Sequence, residues 1–165
     1  MKTTDPVIEQ RSEQPYVGIR MVMPMSDFPR QIPTLTDTVA DWLAAHHTRP
    51  AGKPFLRYHV IDMPKRMDVE VGIPVDAAPQ AEPPLESHVL PAGRYAVLTY
   101  QGVKNGVPAN KKLLDWVAAQ GEAVASHDSA QGEAFKARYE TFLIDDAVEP
   151  DQDKWETEVA MKLRD

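Results

Sequence analysis

Phe135-Lys136-Ala137-Arg138-Tyr139-Glu140-Thr141-Phe142-Leu143-Ile144-Asp145 reads as a β-strand. Tyr139, Thr141 and Leu143 alternate with Arg138, Glu140, Phe142 and Ile144, the period of two that places successive side chains on opposite faces. Glu140 therefore shares a face with Phe142 and Ile144, a face that favours burial. A carboxylate there is costly unless it has a partner, because desolvation disfavours its charged form. The partner comes either from the protein, with Arg57, Arg138 and Arg94 as the candidates, or from a ligand.

Upstream and downstream of this strand the chain divides into two similar halves. In the first, Val7–Met25 is extended, with a bend expected at Gln14-Pro15. Pro33 and Thr34 open a helix in which Thr34 and Asp37 fit a capping box. Leu35, Val39, Trp42, Leu43 and His46 recur at helical spacing. Strands Phe55–Asp62 and Met67–Val75 follow, joined by a turn at Met63-Pro64-Lys65-Arg66. Asp76–Pro84 is a linker by composition, with three prolines among small residues. The second half repeats the order. Leu85–Gln101 is extended with a bend at Pro91-Ala92-Gly93, and Gly102–Pro108 is a connection. Asn110–Gln120 is a helix stopped by Gly121, and strands Phe135–Asp145 and Trp155–Leu163 complete the unit.

Matches between the halves go beyond order. Asp41-Trp42-Leu43-Ala44-Ala45 resembles Asp115-Trp116-Val117-Ala118-Ala119, and Met67-Asp68-Val69-Glu70-Val71 resembles Trp155-Glu156-Thr157-Glu158-Val159. Arg57-Tyr58 and Asp62 flank one mid-strand as Arg138-Tyr139 and Asp145 flank the other. The expectation is an α+β fold: a duplicated β-α-β-β unit, residues 5–76 and 85–164 joined by linker 76–84. The two units, related by a pseudo-twofold axis, would pair their antiparallel sheets and lay both helices on one side. A junction that neither half fills completely is a natural ligand site.

Composition narrows the function. The chain has 165 residues, a net charge of -7 and no cysteine. An acidic chain does not carry a nucleic-acid-binding footprint, and without cysteine there is no disulfide, thiol nucleophile or thiolate metal site. The N-terminus lacks the apolar segment of a signal peptide, and no stretch approaches the roughly 20 apolar residues that span a bilayer. A cytoplasmic location and no membrane contact are expected. His46 and His47 are adjacent, and His59, His88 and His127 show no ligand spacing, so neither metal nor cofactor is expected.

The sequence resembles the GyrI-like small-molecule-binding domain, the effector-binding module of bacterial multidrug-sensing transcription regulators. The residues that carry the resemblance are Leu90-Pro91-Ala92-Gly93-Arg94-Tyr95-Ala96-Val97 before the Gly102 turn, the Leu114-Asp115-Trp116 helix, Tyr139-Glu140-Thr141-Phe142-Leu143 ending in an acidic turn, and the terminal Trp155–Val159 strand. The resemblance implies a pocket between the halves and a glutamate on the penultimate strand that pairs with cationic, often aromatic, ligands. Only Glu140 occupies that position, and Phe142 stands where the family often has tyrosine.

The aromatic residues that would complete such a site are Trp42, Tyr58, Tyr95, Tyr100, Trp116 and Phe142, because aromatic faces attract cations; His59 is a further lining candidate. Met21, Met23 and Met25 alternate on one face as a pliable wall or as core. The reading is a protein that senses or sequesters a small hydrophobic or cationic aromatic compound. Two alternatives stand beside it: a hydrolase of reactive toxins using Glu140, and a gyrase-inhibitor-like module that docks a protein partner through its acidic surface.

Overall fold

The computed structural model describes residues 1–62 and 65–165. Its first half comprises β1 (Val7–Arg11), β2 (Gln14–Met23), α1 (Phe28–Ala45), β3 (Phe55–Asp62) and β4 (Arg66–Pro74). Its second half comprises β5 (Glu86–Leu90), β6 (Gly93–Gln101), α2 (Gly106–Ala119), β7 (Ser126–Ser129), β8 (Gly132–Phe135), β9 (Arg138–Phe142) and β10 (Glu156–Lys162). Of the expected turn at Met63–Arg66, Met63 and Pro64 lie outside the described residues.

The fold is α+β, and the strands form one sheet in the order β1-β6-β10-β9-β3-β4-β2-β5, with the β7–β8 hairpin attached to β3. Every pairing is antiparallel. The sheets of the two halves pair as expected: β3 and β9 join directly at the middle, Leu56 opposite Glu140. The order reads the same from both ends when the halves are exchanged, which is compatible with a duplication.

Both helices lie on one side of the sheet. Leu35, Val39 and Leu43 of α1, spaced four apart, pack on Val17, Ile19, Val69, Val71 and Ile73. Ala109, Leu113 and Val117 of α2 pack on Ala96, Leu98, Val159 and Met161. The opposite face is apolar too: Tyr16, Phe55, Leu90, Tyr95, Val97 and Tyr139 meet there. They come from strands far apart in the sheet order, so the sheet curls around this second core. A strand such as β6 is consequently apolar on both faces and loses simple alternation. Met21, Met23 and Met25 belong to the α1 side of the core.

Several expected boundaries shift for physical reasons. The long first strand divides at Ser12-Glu13, ahead of the proline. Helix α1 starts at Phe28, not at Pro33, which sits inside it. Phe28 and Ile32 are packed against the core, and that packing outweighs the one backbone bond that Pro33 removes. The expected capping box does not form; the Thr34 hydroxyl donates instead to the Arg30 carbonyl at 3.2 Å. Helix α2 takes in Gly106–Pro108, the last part of the Gly102–Pro108 connection, because proline in a first turn lacks only an N–H that would have no helical partner. Gly121 ends α2 with a φ of 73°, as expected for a left-handed cap. Strand Phe135–Asp145 breaks after Phe135, since Lys136 N–H turns to the Ala125 carbonyl and the Ala137 carbonyl accepts from Lys162. Among the described residues no helix is long and apolar enough to cross a membrane.

Candidate functional site

On β9 the period of two holds: Tyr139 joins the core away from the helices, while Phe142 packs on the helix side and Glu140 turns toward α2. Glu140 is only 9% exposed. Its Oε1 accepts a hydrogen bond from Asn110 Nδ2 on α2 at 2.8 Å, and its Oε2 accepts one from the Tyr58 hydroxyl on β3 at 3.2 Å. Among the described residues no cationic side chain forms an ion pair with it.

The three arginines considered as partners are engaged elsewhere. Arg57 donates to the Tyr16 hydroxyl and to the carbonyls of Val89 and Lys136. Arg94 forms a two-pronged pair with Glu122 at 2.9 and 3.0 Å. Arg138 reaches Glu140 only through an intermediary, donating from Nη2 to Asn110 Oδ1 at 3.0 Å. Its guanidinium lies 4.8 Å from the Phe135 ring centre and 5.9 Å from that of Tyr58. The site thus already holds one cation against two aromatic rings, its own.

Burial dominates the acidity of this group. It pushes the Glu140 carboxyl above its ordinary range, against the lowering effect of the Asn110 and Tyr58 hydrogen bonds and of the Arg138 charge. Burial, with the neighbouring carboxylate, likewise drives the Tyr58 phenol well upward. Tyr100 is shifted upward for the same two reasons, which places its hydroxyl within the field of Glu140.

The expected site residues divide into three places. Tyr58, Tyr100 and Phe142 surround Glu140 on the helix side. Trp42 and Trp116 are half-buried on their helices: Trp42 stacks on His46 with ring centres 3.8 Å apart, and Trp116 packs at the border of the α2 core. Tyr95 and His59 lie on the other face of the sheet. The Tyr95 hydroxyl donates to the Pro91 carbonyl, and His59 Nε2 sits 2.8 Å from Glu70. Asn110 was not expected in the site, and Arg138 was expected only as a direct partner of Glu140. Asn110 had a signal, because it borders the Ala109, Leu113, Val117 stripe and points toward the sheet with it.

A cavity of about 420 Å³ opens on the face away from the helices, lined by Arg11, Phe55, Leu90, Tyr95 and Tyr139 among others. Glu140 does not line it, so the expected hollow and the expected carboxylate fall on opposite sides of the sheet. A second buried carboxylate, Glu70, occupies that far side. Burial alone would raise its pKa, but hydrogen bonds from His59 and Tyr16 and the charges of His59 and His88 more than compensate, and the pKa is lowered.

Comparison with known proteins gives a consistent picture. The profile of the GyrI-like small molecule binding domain family matches residues 4–164. No curated protein matches the chain. Among solved structures, the EcmrR C-terminal domain is 19% identical, with a TM-score of 0.76 over 97% of each chain. The chain spans 57% of the length of EcmrR as seen in its DNA complex. A hydrolase from Listeria innocua is 10% identical with a TM-score of 0.64, over 96% of this chain and 91% of that one. SAV2435 bound to tetraphenylphosphonium is 13% identical with a TM-score of 0.57, over 98% of this chain and 94% of that one. At such identities the likeness is one of fold.

Proposed function

The chain belongs to the GyrI-like small-molecule-binding domain family, and from that membership we propose that it binds small hydrophobic compounds, aromatic cations in particular, with Glu140 as the counter-charge. The observation that carries this reading is a buried carboxylate held by two neutral donors, with no ion-pair partner among the described residues and with aromatic rings around it. A unit charge about 4 Å from such a group gains about 4 kcal/mol at an effective dielectric near 20, before desolvation is subtracted. The remainder separates a cation from a neutral molecule of the same outline by roughly ten- to a hundredfold. SAV2435, which shares the fold, is bound to an aromatic cation of this kind. Its role here is sensing or sequestration in the cytoplasm; the EcmrR C-terminal domain, part of a DNA-binding protein, supports the sensing form.

A guest reaches Glu140 by lifting the start of α2. Asn110 then releases Oε1, and Arg138 loses the same amide. The segment to be moved begins after Gly102, whose φ is 90°, and carries exposed Val103 and Val107, so little packing holds its outer side. Titration with tetraphenylphosphonium and with a neutral aromatic of similar shape tests the reading. Glu140→Gln is expected to weaken the cation by about tenfold or more and to leave the neutral compound unchanged. An unaltered preference for the cation would remove the carboxylate from recognition.

One observation favours a second reading. Burial raises the Glu140 pKa, and a phenol lies 3.2 Å away, an environment of the kind that suits a general acid donating to a leaving atom while water attacks. A protein of the same fold is a hydrolase. Incubation with a strained, cyclopropane-bearing electrophile decides it: product beyond one equivalent per chain establishes turnover, and a plateau at or below one equivalent leaves binding alone.

A further inference from the structure

On the sheet face away from the helices, three neighbouring strands bring metal-ligating side chains together. In register, Tyr16 of β2 lies opposite His88 of β5, and Gly18 lies opposite Glu86. On the other side of β2, Arg20 lies opposite Glu70 of β4. Cross-strand partners share a face, so Glu70, Glu86 and His88 all project from the same side. The β2 position between them is glycine. A Cβ at Gly18 would sit 3.0 Å from Glu70 Oε2, so the missing side chain is what allows Glu70 to lean across β2 toward β5. One ligand atom from each of Glu70, Glu86 and His88 lies within 4.8 Å of the others.

Glu70 is held as a ligand is held. Its side chain is fully buried. Oε1 accepts the Tyr16 hydroxyl at 2.6 Å and lies 2.8 Å from His59 Nε2; Oε2 is buried with no hydrogen-bond partner. A carboxylate oxygen left unpaired in the interior costs free energy that a bound cation would recover. The nearby arginines do not fill this role. Arg20 is turned to both oxygens of Asp68, at 2.9 and 3.0 Å, and Arg57 contacts the far side of the Tyr16 hydroxyl.

We propose that Glu70, Glu86 and His88 form a site for a divalent transition-metal cation of the zinc class, with Tyr16 and His59 as the groups that fix the orientation of Glu70. One imidazole and two carboxylates suit zinc or cobalt better than calcium or magnesium, which take oxygen ligands alone. The two carboxylates match the charge of the ion, and a fourth position is left for water. Metal–ligand distances near 2.1 Å put tetrahedral ligand atoms about 3.4 Å from one another, so Glu86 and His88, whose Oε2 and Nε2 are 2.5 Å apart, move apart to admit the ion while both close on Glu70. The β5 strand permits this, because it is the end strand of the sheet, paired only with β2. The side chains of Glu86 and His88 are 53% and 45% exposed, 2.5 Å apart, and give the ion a route from solvent. The site lies across the sheet from Glu140 and stands independently of what binds there.

The test is titration of the 165-residue chain with Zn²⁺ by calorimetry and with Co²⁺ by visible absorption. One equivalent is expected, with the intense d–d bands of a four-coordinate cobalt site. Glu86→Gln and His88→Gln, both on a partly exposed edge strand and therefore compatible with folding, are each expected to weaken the metal by about tenfold or more, and His59→Ala by about tenfold through loss of orientation. A titration without saturable binding would overturn the proposal. So would binding that keeps its affinity in the Glu86→Gln/His88→Gln double variant, since the ion would then sit on the other histidines.

Discussion

Enclosing a carboxylate among neutral partners costs free energy that the remainder of the fold has to offset, and at Glu140 this cost has a measurable sign. The folded pKa is raised by burial, so between the unfolded value near 4.3 and the folded value the native state binds more protons than the unfolded chain. Stability therefore falls as pH rises through that window, and the cost persists above it. Glu140→Gln is expected to raise Tm at pH 7 to 8 and to have no effect near pH 4. A variant that melts lower than the parent at neutral pH would mean that the charged form is favoured in the fold. Asn110→Ala leaves both Glu140 Oε1 and Arg138 without their shared amide and is expected to lose about 1–3 kcal/mol in denaturant unfolding. The place of Glu140 was legible because alternation along a single strand determines it. Its partners were not. Tyr58 and Asn110 are 82 and 30 residues away in the chain, and nothing local in a sequence announces a hydrogen bond across that span.

At the scale of elements, legibility followed periodicity and failed where packing or turn geometry replaced it. The stripes of α1 and α2 and the apolar face of Val69, Val71 and Ile73 are periodic, and they stand where the spacing put them. Ser126-His127-Asp128-Ser129 has no such pattern, yet it is a strand, because β8 carries it and β8 is fixed to β3 at Val60 and Ile61. The hairpin turn depends on Gly132, at φ 131°, where an added Cβ would fall 2.5 Å from the Ile61 carbonyl oxygen. Gly132→Ala is accordingly expected to cost about 1–3 kcal/mol, read from the urea midpoint at unchanged m-value. For the start of α2 the expectation is dynamic. With tetraphenylphosphonium bound, amides around 103–110 should exchange with solvent faster while those of α1 stay as they were. Slower exchange across that segment would mean that the guest enters without displacing Asn110.

For the molecule as a whole, the decisive feature is an exchange of strands that local sequence does not encode. Strand β1 of the first half pairs with β6 of the second, and β5 of the second pairs with β2 of the first. The repeat is legible as similar stretches in the same order; which half receives each leading strand depends on long-range pairing, whose closure cost and register are invisible locally. Each half keeps a helix-on-sheet core nearly its own, α1 with β2 and β4, α2 with β6 and β10. The core on the other face is shared, with Tyr16 and Phe55 from one half and Leu90, Tyr95, Val97, Tyr139 and Ala160 from the other. Cutting the chain within the linker, into 1–78 and 79–165, would leave each piece with its helix core intact, the shared face in water and unpaired strand edges on both sides. Each fragment alone is therefore expected to retain far-ultraviolet circular dichroism, bind the dye ANS and melt without a sharp transition. Mixing the two at equal concentration should abolish dye binding and restore cooperative unfolding, because the exchanged strands and the second core form only when both halves are present. A fragment that melts cooperatively by itself would show that one helix-covered core is sufficient, and that the strand exchange serves only to hold the halves together.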